Sequence, residues 1–195
     1  SQTYEKNTAI TTRAPTITFN FNVGDWQTLS GLEIDGKAIA STDYTVVQPS
    51  GGKKTGTVSV AATVLDGMGL TNGTKSVKAT FHRTGFDSGE TNTATGNLLT
   101  VQTTYTVQFD LNGGTAASGG VPSIANQTIT NTTVPTFKWA SIANNTPTKE
   151  GYAFAGWDTN GSDSTAEWRS NNVNYQPSTD ASDASKWNTT VKAVW

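Results

Sequence analysis

Residues 105–115, YTVQFDLNGGT, decide the reading of the second half of this 195-residue chain. Val107, Phe109 and Leu111 alternate with polar residues at the period-2 spacing of a half-buried strand. Asn112-Gly113-Gly114 follows at once and supplies residues that tolerate the positive φ of a tight turn. Working outward, the pattern returns in residues 147–161, PTKEGYAFAGWDTNG, where Tyr152, Phe154 and Gly156-Trp157 suggest a second strand. It returns again in the closing residues 190–195, TVKAVW, where Val191, Ala193 and Trp195 alternate. A terminal strand this apolar is expected to be tied into a sheet rather than frayed.

These three motifs closely resemble the internalin-B-type repeat, also called the Listeria–Bacteroides repeat, which reads roughly YTVTFDANGG, then PTKEGYTFAGW, then a closing LYAKW. The resemblance covers residues 105–195 and implies a small β-grasp-like (α+β) module. It also implies a setting on bacterial surface or secreted proteins, as a stalk, adhesion or recognition unit. It carries over a structural role for Phe109, Tyr152, Phe154, Trp157 and Trp195 as core, and for Gly113, Gly114, Gly151 and Gly156 as turns. It brings no catalytic residue. Two stretches depart from the pattern: residues 123–145, with Phe137 and Trp139, and residues 163–190, with Trp168 and Trp187.

Residues 1–104 read as an immunoglobulin-like β-sandwich. Ile17, Phe19 and Phe21 alternate in TITFNFNV, and Asp35-Gly36 is a hairpin signal between Leu32/Ile34 and Ile39. Residues 41–49, 56–65 and 73–85 each read as a strand, separated by turn signals at Gly51-Gly52, Asp66-Gly67 and Asn72-Gly73. The Asp43–Val46 strand and the turn at Leu70-Thr71-Asn72-Gly73-Thr74 also resemble Ig-like X modules that accompany carbohydrate-active enzymes and scaffoldins. That resemblance implies an extracellular, polysaccharide-handling context. Residues 86–104 read as a polar loop and then a bridging strand, so the link to Tyr105 is too short for a flexible tether.

Charged residues make up 14% of the chain and the net charge is −2, so no basic stripe is present to track phosphates or anionic lipid. Nucleic acid and membrane insertion are therefore not expected, and no apolar run approaches the eighteen or so residues of a span. The absence of cysteine removes disulfides and thiolate ligands or nucleophiles together. Because the sequence opens on SQTYEKNTAI without a leader, it is either a piece excised from a longer precursor or cytosolic; the repeat favours the former, hence a bacterial cell-surface or secreted location. No cofactor is expected and no catalysis. His82 stands alone as the single histidine at a strand end. Asp158, Asp163, Glu167, Asp180 and Asp183 cluster in sequence without the alternation of a calcium loop.

Tryptophan is the informative residue type. Of six, Trp26, Trp139, Trp168 and Trp187 lie outside the repeat's motifs. A flat aromatic face suits the C–H face of a sugar, with amide side chains at its edge for the hydroxyls. Trp139, Trp168 and Trp187, with Asn172 and Asn188, are therefore the candidate ligand-binding residues. The expected function is non-catalytic polysaccharide binding, with an α-glucan such as starch as the ligand, because three loop-borne rings would grip a curved chain. The alternative is a protein-binding adhesin or passive stalk, in which the same tryptophans serve as core.

Overall fold

A computed structural model describes residues 1–6, 14, 16–22, 28–48, 55–83, 91–161, 165–171 and 174–195. The chain is mainly β and divides into two compact units, Ser1–Gln102 and Thr103–Trp195.

In the first unit the strands are β1 (Gln2–Lys6), β2 (Thr16–Asn22), β3 (Thr28–Ile34), β4 (Lys37–Ile39), β5 (Tyr44–Val47), β6 (Thr55–Ala61), β7 (Gly73–His82) and the start of β8 (Thr91–Asp110). They form two sheets. One runs β2-β6-β5; the other runs β8-β7-β3-β4, with β1 also pairing with β8. That is the strand order of an immunoglobulin sandwich, with the first strand attached to the last one. Alternation produces it directly: Ile17, Phe19 and Phe21 of β2, Leu32 and Ile34 of β3, Val58 and Val60 of β6, and Val77, Ala79 and Phe81 of β7 are all buried in one core. Asp35 and Gly36 have φ of 55° and 75°, the two left-handed residues of the expected hairpin turn joining β3 to β4.

The single strand expected over residues 56–65 stops at Ala61. A short helix, α1 (Ala62–Gly67), follows. The reason is in the spacing: Ala62 and Leu65 are three residues apart, share a helical face, and are both buried, whereas a continued strand would turn Leu65 out to solvent. Asp66-Gly67, read as a turn signal between strands, therefore ends a helix. The Tyr4 hydroxyl donates to the Asp66 carboxylate, which holds β1 to α1. Trp26 and the Gly51-Gly52 signal lie outside the described residues.

The second unit uses the end of β8 with β9 (Gln127–Ile129), β10 (Phe137–Lys138), β11 (Gly156–Asp158), β12 (Asn174–Tyr175) and β13 (Asn188–Val194). Its main sheet is ordered β9-β8-β13-β11. The central pair, β8 and β13, is parallel, with Asn188 opposite Thr106 and Lys192 opposite Asp110. Flanking pairs are antiparallel, which is the strand order of a β-grasp. The parallel pairing explains why the last strand is central: Val191 and Ala193 are 0% and 1% exposed. Leu111 to Gly114 forms a hydrogen-bonded turn, Gly114 N–H to Leu111 O at 2.9 Å, with φ of 49° at Asn112 and 77° at Gly113. The helical share of this unit is small. Its described residues hold three 3₁₀ turns, Trp139–Ser141, Ala143–Asn145 and Ala184–Lys186, and no α-helix.

Two expectations are corrected here. The strand read over residues 152–157 is confined to Gly156–Asp158, and Tyr152 is 63% exposed instead of core. Tyr152 closes a turn, its N–H donating to Lys149 O at 3.1 Å across Gly151 with φ of 80°, so its side chain precedes the strand that would have carried it inward. The two inserted stretches are also not free loops. They pair with each other as the ribbon β10–β12, Phe137 opposite Tyr175, and their aromatic rings stack at 6.2 Å.

Candidate functional site

Trp168, one of the three rings expected to bind sugar, lies in the core at 1% exposure. Residues around it fold back on β11, so that Trp157 and Trp168 exchange backbone hydrogen bonds of 2.9 and 3.1 Å. Its ring then lies 5.2 Å from Tyr175, 6.1 Å from Phe109 and 6.3 Å from Trp139. A ring enclosed on these sides offers no face to a ligand. Its indole Nε1 is buried without a hydrogen-bond partner.

Trp139 is half-buried. It opens a 3₁₀ turn, stacks nearly parallel on Phe154 at 6.5 Å and 23°, and meets Trp168 edge-on. Trp187 is also half-buried, and its N–H is committed: it donates to Ala181 O at 3.1 Å, the same carbonyl that accepts the Tyr105 hydroxyl at 3.2 Å. Burial pushes the Tyr105 phenol above 10.0, and the neighbouring Trp187 N–H partly offsets this. Asn188 is exposed, but its Oδ1 accepts the Thr106 hydroxyl at 2.6 Å, which fastens the parallel strand pair. Asn172 lies outside the described residues.

Trp168 is therefore no part of a platform; Trp139 packs on Phe154 and Trp168, whereas Trp187 stands just before β13 and is tied to Ala181. The sequence showed where inserted tryptophans fell, but not that two inserts would zip together over the sheet.

The acidic residues have local duties. Asp158 Oδ1 accepts the N–H groups of Asn160 and Gly161 at 2.9 and 2.7 Å, and Glu167 accepts from Thr159 N–H and Asn160 Nδ2 at 2.9 and 3.0 Å. The Ser182 N–H and hydroxyl bonded to Asp180 hold its carboxyl below the ordinary value. Asp183 caps the 3₁₀ turn at Ser185 N–H, and Asp163 lies outside the described residues. Among the described residues no three His, Asp or Glu side chains converge on a point where a metal ion would sit.

Sequence reasoning missed a cleft of about 230 Å³ lined by Asn112, Lys149, Asp158, Lys192 and the ends of β13 with Trp195. Asp158 and Lys192 are register partners on β11 and β13, so they project from one face while Trp157 and Ala193, offset by one residue, project into the core on the other. The Asn112 carbonyl accepts both Lys149 Nζ and Trp195 Nε1 at 3.2 Å, and Asn112 Nδ2 donates to Ala193 O at 2.9 Å. Lys149 Nζ is 5.0 Å from the Tyr152 ring and 5.7 Å from the Trp195 ring. The one signal that pointed here was the Asn112-Gly113-Gly114 turn, read as backbone punctuation alone.

Residues 105–182 match the family model of the Listeria-Bacteroides repeat domain, a repeat typical of surface and secreted proteins. No curated protein matches the chain. Among the described residues no helix is long and apolar enough to cross a membrane.

Proposed function

We propose that this chain is a non-catalytic spacer and display segment of a bacterial cell-surface or secreted multidomain protein. The observation that carries the reading is the fate of the inserted aromatics. Phe137, Trp168 and Tyr175 are spent on packing, and Trp139 and Trp187 are each half-covered by neighbours in this unit. Asp158, Glu167, Asp180 and Asp183 each accept hydrogen bonds within their own turns and caps, which supports a structural role for them. An immunoglobulin-like unit followed by a grasp repeat suits an element that holds other domains away from a surface. The test is retention on insoluble starch, cellulose and mannan, with acrylamide quenching of tryptophan fluorescence. A spacer is not retained, and most of its emission resists quenching.

Binding to an α-glucan is the second reading, favoured by the incompletely buried Trp139 and Trp187. Retention on starch that falls in both Trp139→Ala and Trp187→Ala would establish this reading over the spacer.

A further inference from the structure

We infer that the cleft beside the Asn112 turn is a binding site for one uncharged pyranose ring, such as a terminal or branch sugar of a surface glycan. Size comes first. At about 230 Å³ the cleft lies below the ~300–1,000 Å³ of pockets that enclose drug-sized ligands, which suits a single ring.

The chemistry of the lining selects the class. Asp158 is 2% exposed, and its Oδ1 is filled by two backbone N–H groups while the carboxylate still lines the cleft, leaving Oδ2 as an acceptor. Lys192 stands opposite Asp158 across the β11–β13 pair, its side chain exposed, and supplies donors. Lys149 spends one N–H on the Asn112 carbonyl and retains two more. Acceptor and donors thus stand side by side, as a sugar's neighbouring hydroxyls require, since each hydroxyl both donates and accepts. Trp195, half-buried and fixed through its N–H to Asn112, adds an aromatic side chain to the lining.

Charge bears on the nearest competitor, an acidic peptide. The cleft is lined by two lysines and one carboxylate, with Asp110 in register beside Lys192 outside the lining. An acidic peptide would meet Asp158 with a like charge, whereas a neutral polyol meets no such penalty. The site is separate from Trp139 and Trp187, so failure of α-glucan binding leaves it standing.

The experiment titrates the full chain with the methyl pyranosides of glucose, galactose, mannose and N-acetylglucosamine, following backbone amides and the Trp195 indole N–H by NMR. At least one pyranoside should shift Asp158, Lys192, Ala193 and Trp195 saturably in the millimolar range. Lys192→Ala, an exposed residue, should weaken that binding at least fivefold with an unchanged melting temperature. Asp158→Asn keeps the acceptor for the two backbone N–H groups but replaces Oδ2 with a donor, and should weaken it at least tenfold. The proposal is overturned if none of the four sugars shifts these resonances, or if both variants bind as the wild type does. It is equally overturned if polyglutamate shifts them and the sugars do not, which would mark the cleft as a protein-docking site.

Discussion

Replacing Trp168 with alanine tests whether the inserted stretches are structure or loop. The indole is 1% exposed and in ring contact with Phe109, Trp139 and Tyr175, so truncation opens a cavity among groups already fixed by the main sheet. Losses for a buried tryptophan run ~3–5 kcal/mol. Against a total of ~5–15 kcal/mol, that is a large share of the unit's stability. At ~4–8 °C per kcal/mol for a unit of this size, the melting temperature should fall by roughly 12–40 °C. Trp168→Phe separates packing from polarity. The smaller ring leaves a void of a few tens of Å³, costing roughly 1 kcal/mol at ~24 cal/mol per Å³. It also removes an N–H that is buried without a partner, a burden of ~1–3 kcal/mol. The two effects offset, so the phenylalanine variant should lie within ~1.5 kcal/mol of wild type. Urea unfolding of the full chain, read by near-UV and far-UV circular dichroism, measures both. An alanine variant within ~1 kcal/mol of wild type would refute the packing account and return Trp168 to the surface.

Gly156→Ala should cost more than ~2 kcal/mol in the same assay, because φ is 139° and the new Cβ would lie 2.8 Å from Trp168 O and 2.9 Å from Ala166 Cβ. Gly36→Ala, with φ of 75° and open space around it, should cost only ~1 kcal/mol and move the transition of the first unit alone. A shift in the second unit's transition would contradict the division at Gln102. Burial raises the phenols of Tyr105 and Tyr175 above 10.0, so the stability they contribute is complete below pH 10 and is lost as pH rises through the folded values. Tyr175→Phe should therefore flatten the fall in urea midpoint between about pH 9.5 and 11, and an unchanged slope would exclude burial as the cause.

Much of the frame was legible in sequence, because it rests on local rules. Alternation at Ile17-Phe19-Phe21 and Val107-Phe109, and paired left-handed residues at Asp35-Gly36 and Asn112-Gly113, act over a few residues whatever surrounds them. The repeat motifs likewise located the second unit's first and last strands. What the sequence could not hold was the partner of each inserted aromatic. Phe137 meets Tyr175 and Trp168 meets Trp157 only after the two inserts fold back over the sheet, so their burial is a product of long-range pairing and not of spacing. The same holds at the cleft. Asp158 and Lys192 become neighbours through the β11–β13 register, and Asn112 joins Lys149 and Trp195 only because a parallel crossover returns the last strand beside the first. Local chemistry determined the strands and turns; tertiary pairing alone decided which aromatic rings became core and where acceptor, donor and ring came together.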